Sequence, residues 1–361
     1  LPRINSSFTS RVRNPGGDTL LDYLARRFDY RTKDQWAELI ALGRLQVEDR
    51  IVSAGDALRE GQRLRFSVVD YEEPEVPTGF RILPLDPASP GRAPELREDL
   101  LLVHKPAGMP VHRTGKIFFQ TLANMLREQL RDPAWAPLNR LDRETSGIVA
   151  FARGADALRT LAPFSPEARW TKFYAAVVLG RPPETGIGVF DLSLGEKPGD
   201  AIRCRMHAFP SGTAPSPGAS GAKEALTLYR TLAEADGKSL VVLSPVTGRK
   251  HQLRAHLAAA GCPVVGDKIY SGDGRAYLDR LERELGEEDF LRLGARRHLL
   301  HAFLLRIEDG EGRAAKAEDW DFGADFESVF PHGLVRRWMA TSEGKAFAEA
   351  ADRARDGLKS A

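Results

Sequence analysis

The stretch PLNRLDRETSGIVAFAR, residues 137–153, sets a charged turn directly against an apolar strand. Asp142 lies between Arg140 and Arg143 and is followed by Thr145, Ser146 and Gly147. Flanking cations favour the ionised carboxylate, the state that a nucleophile or a base needs. Thr-Ser-Gly adds hydroxyls and a permissive backbone for a tight approach to the run GIVAFA. The blander alternative is an aspartate in a surface turn, paired with a neighbouring arginine, and charge arrangement alone favours it.

Outward from this segment, LLLVHK, GIVAFAR, KFYAAVVLG, EALTLYRTL and SLVVLSPV read as strands. TLANMLREQL and the segment from Gly248 to Ala260 read as helices. Strands in series with interspersed helices predict an α+β domain on a mixed, largely antiparallel sheet. On the strand RWTKFYAAVVLG, residues 169–180, neighbouring side chains point to opposite faces, so only one of Phe173 and Tyr174 can face a cleft. In SPVTGRKHQLRAHLAAAGCPVVGDKIYSGDGR, residues 244–275, a strand runs through Thr247-Gly248-Arg249 into a helix with Leu253, Leu257 and Ala260 along one stripe. Arg254 and His251 are three residues apart, hence neighbours on a helix. Arg249 and Lys250 beside a glycine-containing helix start offer a seat for phosphate; the alternatives are a surface charge at Arg254 and a packing or capping role for His256. His251 and His256 are five apart without a metalloprotease glutamate, which argues against zinc.

The 361 residues suffice for two domains. No run of eighteen apolar residues and no secretory signal pattern occurs. Only Cys204 and Cys262 are present, which points to a reducing compartment, read as cytoplasmic, and away from a disulfide or zinc framework. The net charge of +2 neither supports nor excludes nucleic acid, because phosphate neutralisation is local. Residues 1–17 read as a flexible leader, with a transit peptide as the other reading. Residues 18–69 read as a compact unit: Leu20, Leu21, Leu24 and Phe28 recur at helical spacing, Thr32 and Gln35 fit a capping box, and Gly43 sits where a helix stops. Residues 70–98, with six prolines and the cluster Glu72, Glu73 and Glu75, read as a semi-rigid linker. A main domain follows over 99–310. Beyond Gly310 the pattern fades into an acidic C-terminal extension, 311–361, ending in a surface helix.

Two resemblances sharpen these readings. DTLLDYLARRFDYRTKDQWAELIALGRLQVEDRIVSAGDALREGQRLRFSV is similar to the small RNA-binding domain first known from ribosomal protein S four. That resemblance implies RNA contacts from Arg26, Arg31, Lys33 and Arg44. HKPAGMPVH, NRLDRETSG, KFYAAVVLG, TGRKHQLRAH with GCPVVGD, and RHLLHAFLL resemble, in order and spacing, the RluA-type pseudouridine synthases over roughly residues 100–306. The resemblance implies Asp142 as the catalytic aspartate, with Arg140 helping to hold the target nucleotide out of its helix. It places at Tyr174 the ring that stacks on uracil and could remove a proton, and at Arg254 the ion-pair partner of Asp142. Arg249, Lys250 and His251 are expected on the RNA. One departure is Asn139, where the family usually has histidine; Asp267 and Glu144 are read as structural.

The implied reaction isomerises uridine within structured RNA, with large-subunit ribosomal RNA as the expected target and transfer RNA as the alternative. Neither cofactor nor metal is expected, since no group leaves and no redox change occurs. A monomer without membrane association is expected. Two other readings remain open: a non-catalytic RNA-binding or ribosome-assembly protein, and a glycosidase or nucleoside hydrolase using Asp142.

Overall fold

The computed structural model describes residues 4–28, 30–85, 98–163, 165–184, 186–212 and 220–359. Contacts divide the chain into a smaller unit, formed by the chain up to Glu75 with Arg113–Gln120 and Leu278–Glu284, and a larger unit holding the rest.

In the smaller unit, strand β1 (Ile4–Arg11) pairs antiparallel with β4 (Arg63–Tyr71), which pairs on its other side with β2 (Leu45–Val47), next to β3 (Arg50–Ile51). Helices α1 (Leu20–Arg27) and α2 (Lys33–Ala41) add Leu20, Leu24, Trp36 and Ile40 to a core shared with Leu45, Leu64 and Phe66. Helix α2 starts where its sequence says it should. Thr32 accepts from Gln35 N while Gln35 reaches back to the Thr32 amide, and Gly43 takes φ +67° just past the end.

Two boundary expectations need correction here. The predicted leader, 1–17, contains an ordered strand, β1, hydrogen-bonded along β4. INSSFTSR carries little apolar alternation, so its strand character comes from backbone pairing and from Phe8 stacked on Phe118 at 4.3 Å; neither is readable locally. The first part of the predicted linker is also anchored. The buried Glu73 carboxylate accepts from the amides of Phe118, Phe119 and Gln120 at 2.5, 2.8 and 2.9 Å. The proline-rich span 86–97 of that linker lies outside the described residues.

The larger unit is built on β5 (Arg81–Ile82), β6 (Leu100–Lys105), β7 (Trp135–Pro137), β8 (Ser146–Arg153), β9 (Arg169–Leu179), β10 (Gly188–Glu196), β11 (His207–Pro210), β12 (Ser220–Ala235), β13 (Lys238–Pro245), β14 (Leu300–Glu308) and β15 (Ala314–Glu318). They form one sheet in the order β11-β10-β12-β13-β9-β14-β8-β6-β5, with β15 on β14 and β7 on β8. Only the β14–β8 pairing is parallel among the described strands, so the sheet is mixed and largely antiparallel. Helices α3 (Leu122–Leu130) and α5 (Gln252–Ala259) pack Leu122, Leu126, Leu253 and Leu257 on one face, and α4 (Gly154–Thr160) follows β8. Helix α6 (Arg275–Glu282), which from Leu278 onward belongs to the smaller unit, and α7 (Glu287–Leu293) precede β14 in sequence.

The opposite face is covered by the chain's last segment: α8 (Ala324–Glu327), α9 (His332–Met339) and α10 (Ser342–Lys359). Strand alternation sorts the aromatic pair on β9. Tyr174 joins the cluster containing Leu253, whereas Phe173 joins the cluster containing Phe347. The predicted extension over 311–361 is therefore a correction too: Phe322, Phe326, Phe330, Val335, Phe347 and Ala351 are core residues. Their spacing was masked by the interleaved acids Asp319, Asp321, Asp325 and Glu327.

Candidate active site

Three elements of the larger unit converge on Asp142. The residue precedes β8 in a turn closed by Thr145 N donating to the Asp142 carbonyl at 3.1 Å. Helix α5 carries Arg254, whose guanidinium divides its donors between two carboxylates. Nη1 reaches Asp142 Oδ2 at 2.6 Å, while Nε and Nη2 reach Asp267 Oδ2 and Oδ1 at 2.6 and 2.8 Å. Asp267 is fully buried and also accepts from the amides of Ile269 and Tyr270. The Arg254 guanidinium lies over the Tyr270 ring at 5.2 Å. Asp267 thus fixes the fork, and the fork fixes Asp142. The Asp142 side chain keeps 29% of its surface exposed against 5% for Arg254, so the aspartate is the member of the triad that a substrate can touch.

Electrostatics follow from this geometry. Burial is the largest influence on Asp142 and pushes its carboxyl up, but the opposing pull of His251, Arg254 and His298, with the Arg254 hydrogen bond, leaves it well below the ordinary carboxylate range. Burial holds both His251 and His298 at about 4, so they are uncharged near neutrality and Arg254 supplies the permanent positive charge bonded to Asp142. Tyr174 is raised by burial and then by the charge of Asp142, so it is a neutral phenol at neutral pH. That disfavours a resident phenolate base; the ring itself is buried in the cluster that contains Leu253.

The turn is pinned residue by residue from behind. Lys105, fully buried and lowered by burial to about 7, donates to the carbonyls of Pro106, Met109 and Arg143 at 3.0, 2.8 and 3.0 Å. Arg143 Nε donates to Gly108 O at 2.9 Å, so this flanking cation is turned to the backbone of another loop. Glu144 accepts from Lys268 Nζ at 2.8 and 3.0 Å. Thr145 Oγ1 meets His298 Nε2 at 2.7 Å, and Ser146 Oγ meets His301 Nδ1 at 2.9 Å. Gly147 follows at φ +110°; a Cβ there would sit 2.2 Å from the Ala302 carbonyl oxygen, because β8 and β14 run side by side at that point. Sequence reasoning singled out the Asp, the hydroxyls and the glycine, but passed over Lys105, Lys268, His298 and His301 as site-builders. HKPAGMPVH and RHLLHAFLL held three of them, yet nothing local marks a strand-end lysine or histidine as buried.

The other expected site residues fall differently. Arg140 is exposed, with no side-chain partner among the described residues. Asn139 turns inward, its Oδ1 accepting from Ala150 N of β8 at 2.8 Å, so the residue that departs from the expected histidine braces the turn. Helix α5 starts at Gln252 rather than Gly248, and Gln252 Oε1 takes the Arg249 amide at 2.9 Å. Arg249 Nε donates to Glu224 O at 2.9 Å, while Lys250 is exposed. In the smaller unit, described by itself, Arg26 and Lys33 are ion-paired with Asp18 and Asp22. Arg31 lies against the rings of Tyr30, Trp36 and Phe66, and Arg44 is half-buried.

Comparison with known proteins bears on the same segments. Residues 99–259 match the family described as RNA pseudouridylate synthase. The chain is 34% identical over 224 residues to tRNA pseudouridine synthase C of Vibrio parahaemolyticus, covering 58% of this chain and 81% of that protein. It is 30% identical over 255 residues to the mitochondrial tRNA pseudouridine(32) synthase of Saccharomyces cerevisiae, covering 70% of this chain and 50% of that protein. The chain spans about half the length of the first curated relatives it matches. Among solved structures, Human RNA Pseudouridylate Synthase Domain Containing 1 superposes with a TM-score of 0.51 at 27% identity, covering 75% of this chain and 98% of that one. No helix among the described residues is long and apolar enough to cross a membrane. Asp142, Tyr174 and Arg254 all fall inside the matched segment, and with four-fifths of a named synthase aligned the chain belongs to the RNA pseudouridylate synthase family.

Proposed function

We propose that this chain isomerises uridine to pseudouridine in structured RNA, with Asp142 as the reacting carboxylate and Arg254 and Tyr174 completing the site. The observation that carries this reading is the Arg254 fork. It holds a partly exposed carboxylate ionised in a buried setting, and an ionised carboxylate is what both routes to glycosidic cleavage require.

The reaction breaks the C1′–N1 bond and forms C1′–C5; the C5 proton is lost and N1 gains one, so the atoms balance without a co-reactant. Flipping the nucleotide costs about a few kcal/mol. Arg140, exposed beside the turn, and the Tyr174 ring offset that cost through contacts with the displaced strand and base. Asp142 then attacks C1′, as carboxylates do in retaining glycosidases, or removes the C2′ proton. Arg254 serves either route by keeping Asp142 charged.

The printed names of the relatives favour transfer RNA as the substrate; ribosomal RNA is the second reading, favoured by the resemblance of the N-terminal segment to a ribosomal RNA-binding domain. Action as a monomer belongs to the same proposal, as does a cytoplasmic setting, although two relatives are named as mitochondrial. The test is nucleoside analysis of RNA incubated with wild-type protein and with Asp142→Ala. Pseudouridine from the first, none from the second and RNA binding by both support the assignment. Undiminished product from Asp142→Ala overturns it, and release of free uracil identifies a hydrolase instead. Mapping pseudouridines in total RNA from a strain lacking the protein decides between the two targets.

A further inference from the structure

Asp142 is held by one of its two carboxylate oxygens. Oδ2 accepts from Arg254 Nη1 at 2.6 Å; Oδ1 has no hydrogen-bond donor among the described residues and lies 3.8 Å from His251 Nε2. The histidine ring is oriented from behind. Its Nδ1 faces the Tyr270 hydroxyl at 3.3 Å, and that hydroxyl already accepts from Met206 N at 2.9 Å. The phenolic proton is therefore left for Nδ1, which places the imidazole proton on Nε2, toward Asp142.

A donor and an acceptor 3.8 Å apart are too far for a direct hydrogen bond and suited to a single shared oxygen at about 2.7–3.0 Å from each. The group that fits must accept from Nε2 and donate to Oδ1. A hydroxyl does both. A phosphate oxygen carries no proton and is repelled by the carboxylate, and a base amide offers no atom that both donates and accepts. Next to the C1′ on which Asp142 acts, the nucleotide's hydroxyl is the one on C2′.

We propose that Asp142 Oδ1 and His251 Nε2 form a two-point subsite for the 2′-hydroxyl of the target nucleotide, so that the catalytic carboxylate itself distinguishes ribose from deoxyribose. This rests on the isomerase reading above. It assigns His251 a place on the reacting nucleotide rather than on the flanking RNA backbone, and it makes Tyr270 a positioning residue that fixes the imidazole tautomer. The 2′-hydroxyl is the feature by which a protein can tell RNA from DNA at one site.

The test uses a stem-loop RNA containing the modified uridine, with either uridine or 2′-deoxyuridine at that one position and tritium on its C5. Wild-type protein is expected to release tritium roughly tenfold faster from the ribose form, the worth of one or two hydrogen bonds. His251→Asn tolerates the left-handed backbone at this position, where φ is +54°, but its amide is too short to reach the hydroxyl; the ribose-to-deoxyribose ratio is expected to fall towards one. His251→Gln, whose amide nitrogen reaches as far as Nε2, is expected to restore most of the ratio. Tyr270→Phe keeps the ring under Arg254 and removes the proton that sets the tautomer, so it lowers the ratio with the histidine unchanged. A histidine that is merely structural slows both substrates equally and leaves the ratio fixed in all three variants, which overturns the subsite. Wild-type protein that isomerises both substrates at one rate overturns the subsite alone; wild-type protein that releases no tritium from either overturns the isomerase reading with it.

Discussion

At Asp142 two opposing effects of similar origin are balanced by one guanidinium. Burial alone would raise the carboxyl above its ordinary value of 3.8, and the combined pull of His251, Arg254 and His298, with the Arg254 hydrogen bond, more than reverses this. A carboxylate with a lowered pKa keeps its ionised form at every pH above the ordinary value and loses it only as pH falls through the lowered one. The wild-type rate is therefore expected to stay flat as pH falls from neutrality to about 5. In Arg254→Gln the burial effect loses its permanently charged, hydrogen-bonded opponent, and His251 and His298 are uncharged near neutrality. An acid limb is then expected at about pH 5–6, with the rate rising as pH increases. Single-turnover tritium release measured across this range checks both curves, and a flat Arg254→Gln profile would show that another group keeps Asp142 ionised. Asp142 drew attention because Arg140, Arg143 and the Thr-Ser-Gly run lie beside it in sequence, but its catalytic role was an expectation from the resemblance. Its partner was legible only through the resemblance, because 112 residues separate Arg254 from Asp142 and no local pattern joins them.

At the scale of the element, the turn from Asp142 to Ser146 behaves as a strap with a fastening at each residue. The Glu144–Lys268 pair is the fastening most open to a clean measurement, since Lys268 is buried and Glu144 mostly so. Removing Lys268 takes the ammonium partner from a mostly buried carboxylate, so Lys268→Met is expected to destabilise the protein by about 2–4 kcal/mol. Adding Glu144→Gln removes the carboxylate charge that lost its ammonium partner. The double variant should fall short of the summed single losses by about 1–3 kcal/mol in urea unfolding. Gly147 is less forgiving. Its Cβ would overlap the Ala302 carbonyl at 2.2 Å, and both strands are interior to the sheet. Gly147→Ala is expected to cost more than about 4 kcal/mol or to prevent folding, read by circular dichroism and solubility. The close approach was foreseen from the glycine that opens GIVAFA. The strap was not, because its fastenings come from β6, β14 and the loop after α5, which only the folded sheet brings behind the turn.

At the scale of the molecule, the C-terminal segment belongs to the larger unit's fold, and its role argues for one further measurement. Phe322, Phe326 and Phe330 recur every four residues, a helix-like apolar stripe that was present in the sequence. It was read as an acidic tail because the acids between them looked solvated. The structure gives the acids of this stretch partners instead: Asp319 accepts from Arg81 at 2.8 Å and is bonded to His104, Asp321 accepts from Arg81 at 2.9 Å, Asp325 accepts from Arg297 at 2.7 Å, and Glu327 is bonded to His332. Helix α10 then reaches the strand that carries Tyr174. Asp352 accepts from Thr171 Oγ1 at 2.8 Å, Asp356 from Arg169 at 2.6 Å, and Arg355 donates to Ser244 Oγ at 2.8 Å, whose hydroxyl donates to the Lys172 carbonyl. Phe347, fully buried, packs against Phe173 at 5.7 Å, directly beneath Tyr174 in the chain. Phe347→Ala opens a cavity in that contact and is expected to lower unfolding free energy by about 3–5 kcal/mol. If α10 supports the sheet and also sets the Tyr174 strand, the pseudouridine rate should fall at temperatures where the variant is still folded. A variant that melts earlier but turns over normally below its transition would confine α10 to stability.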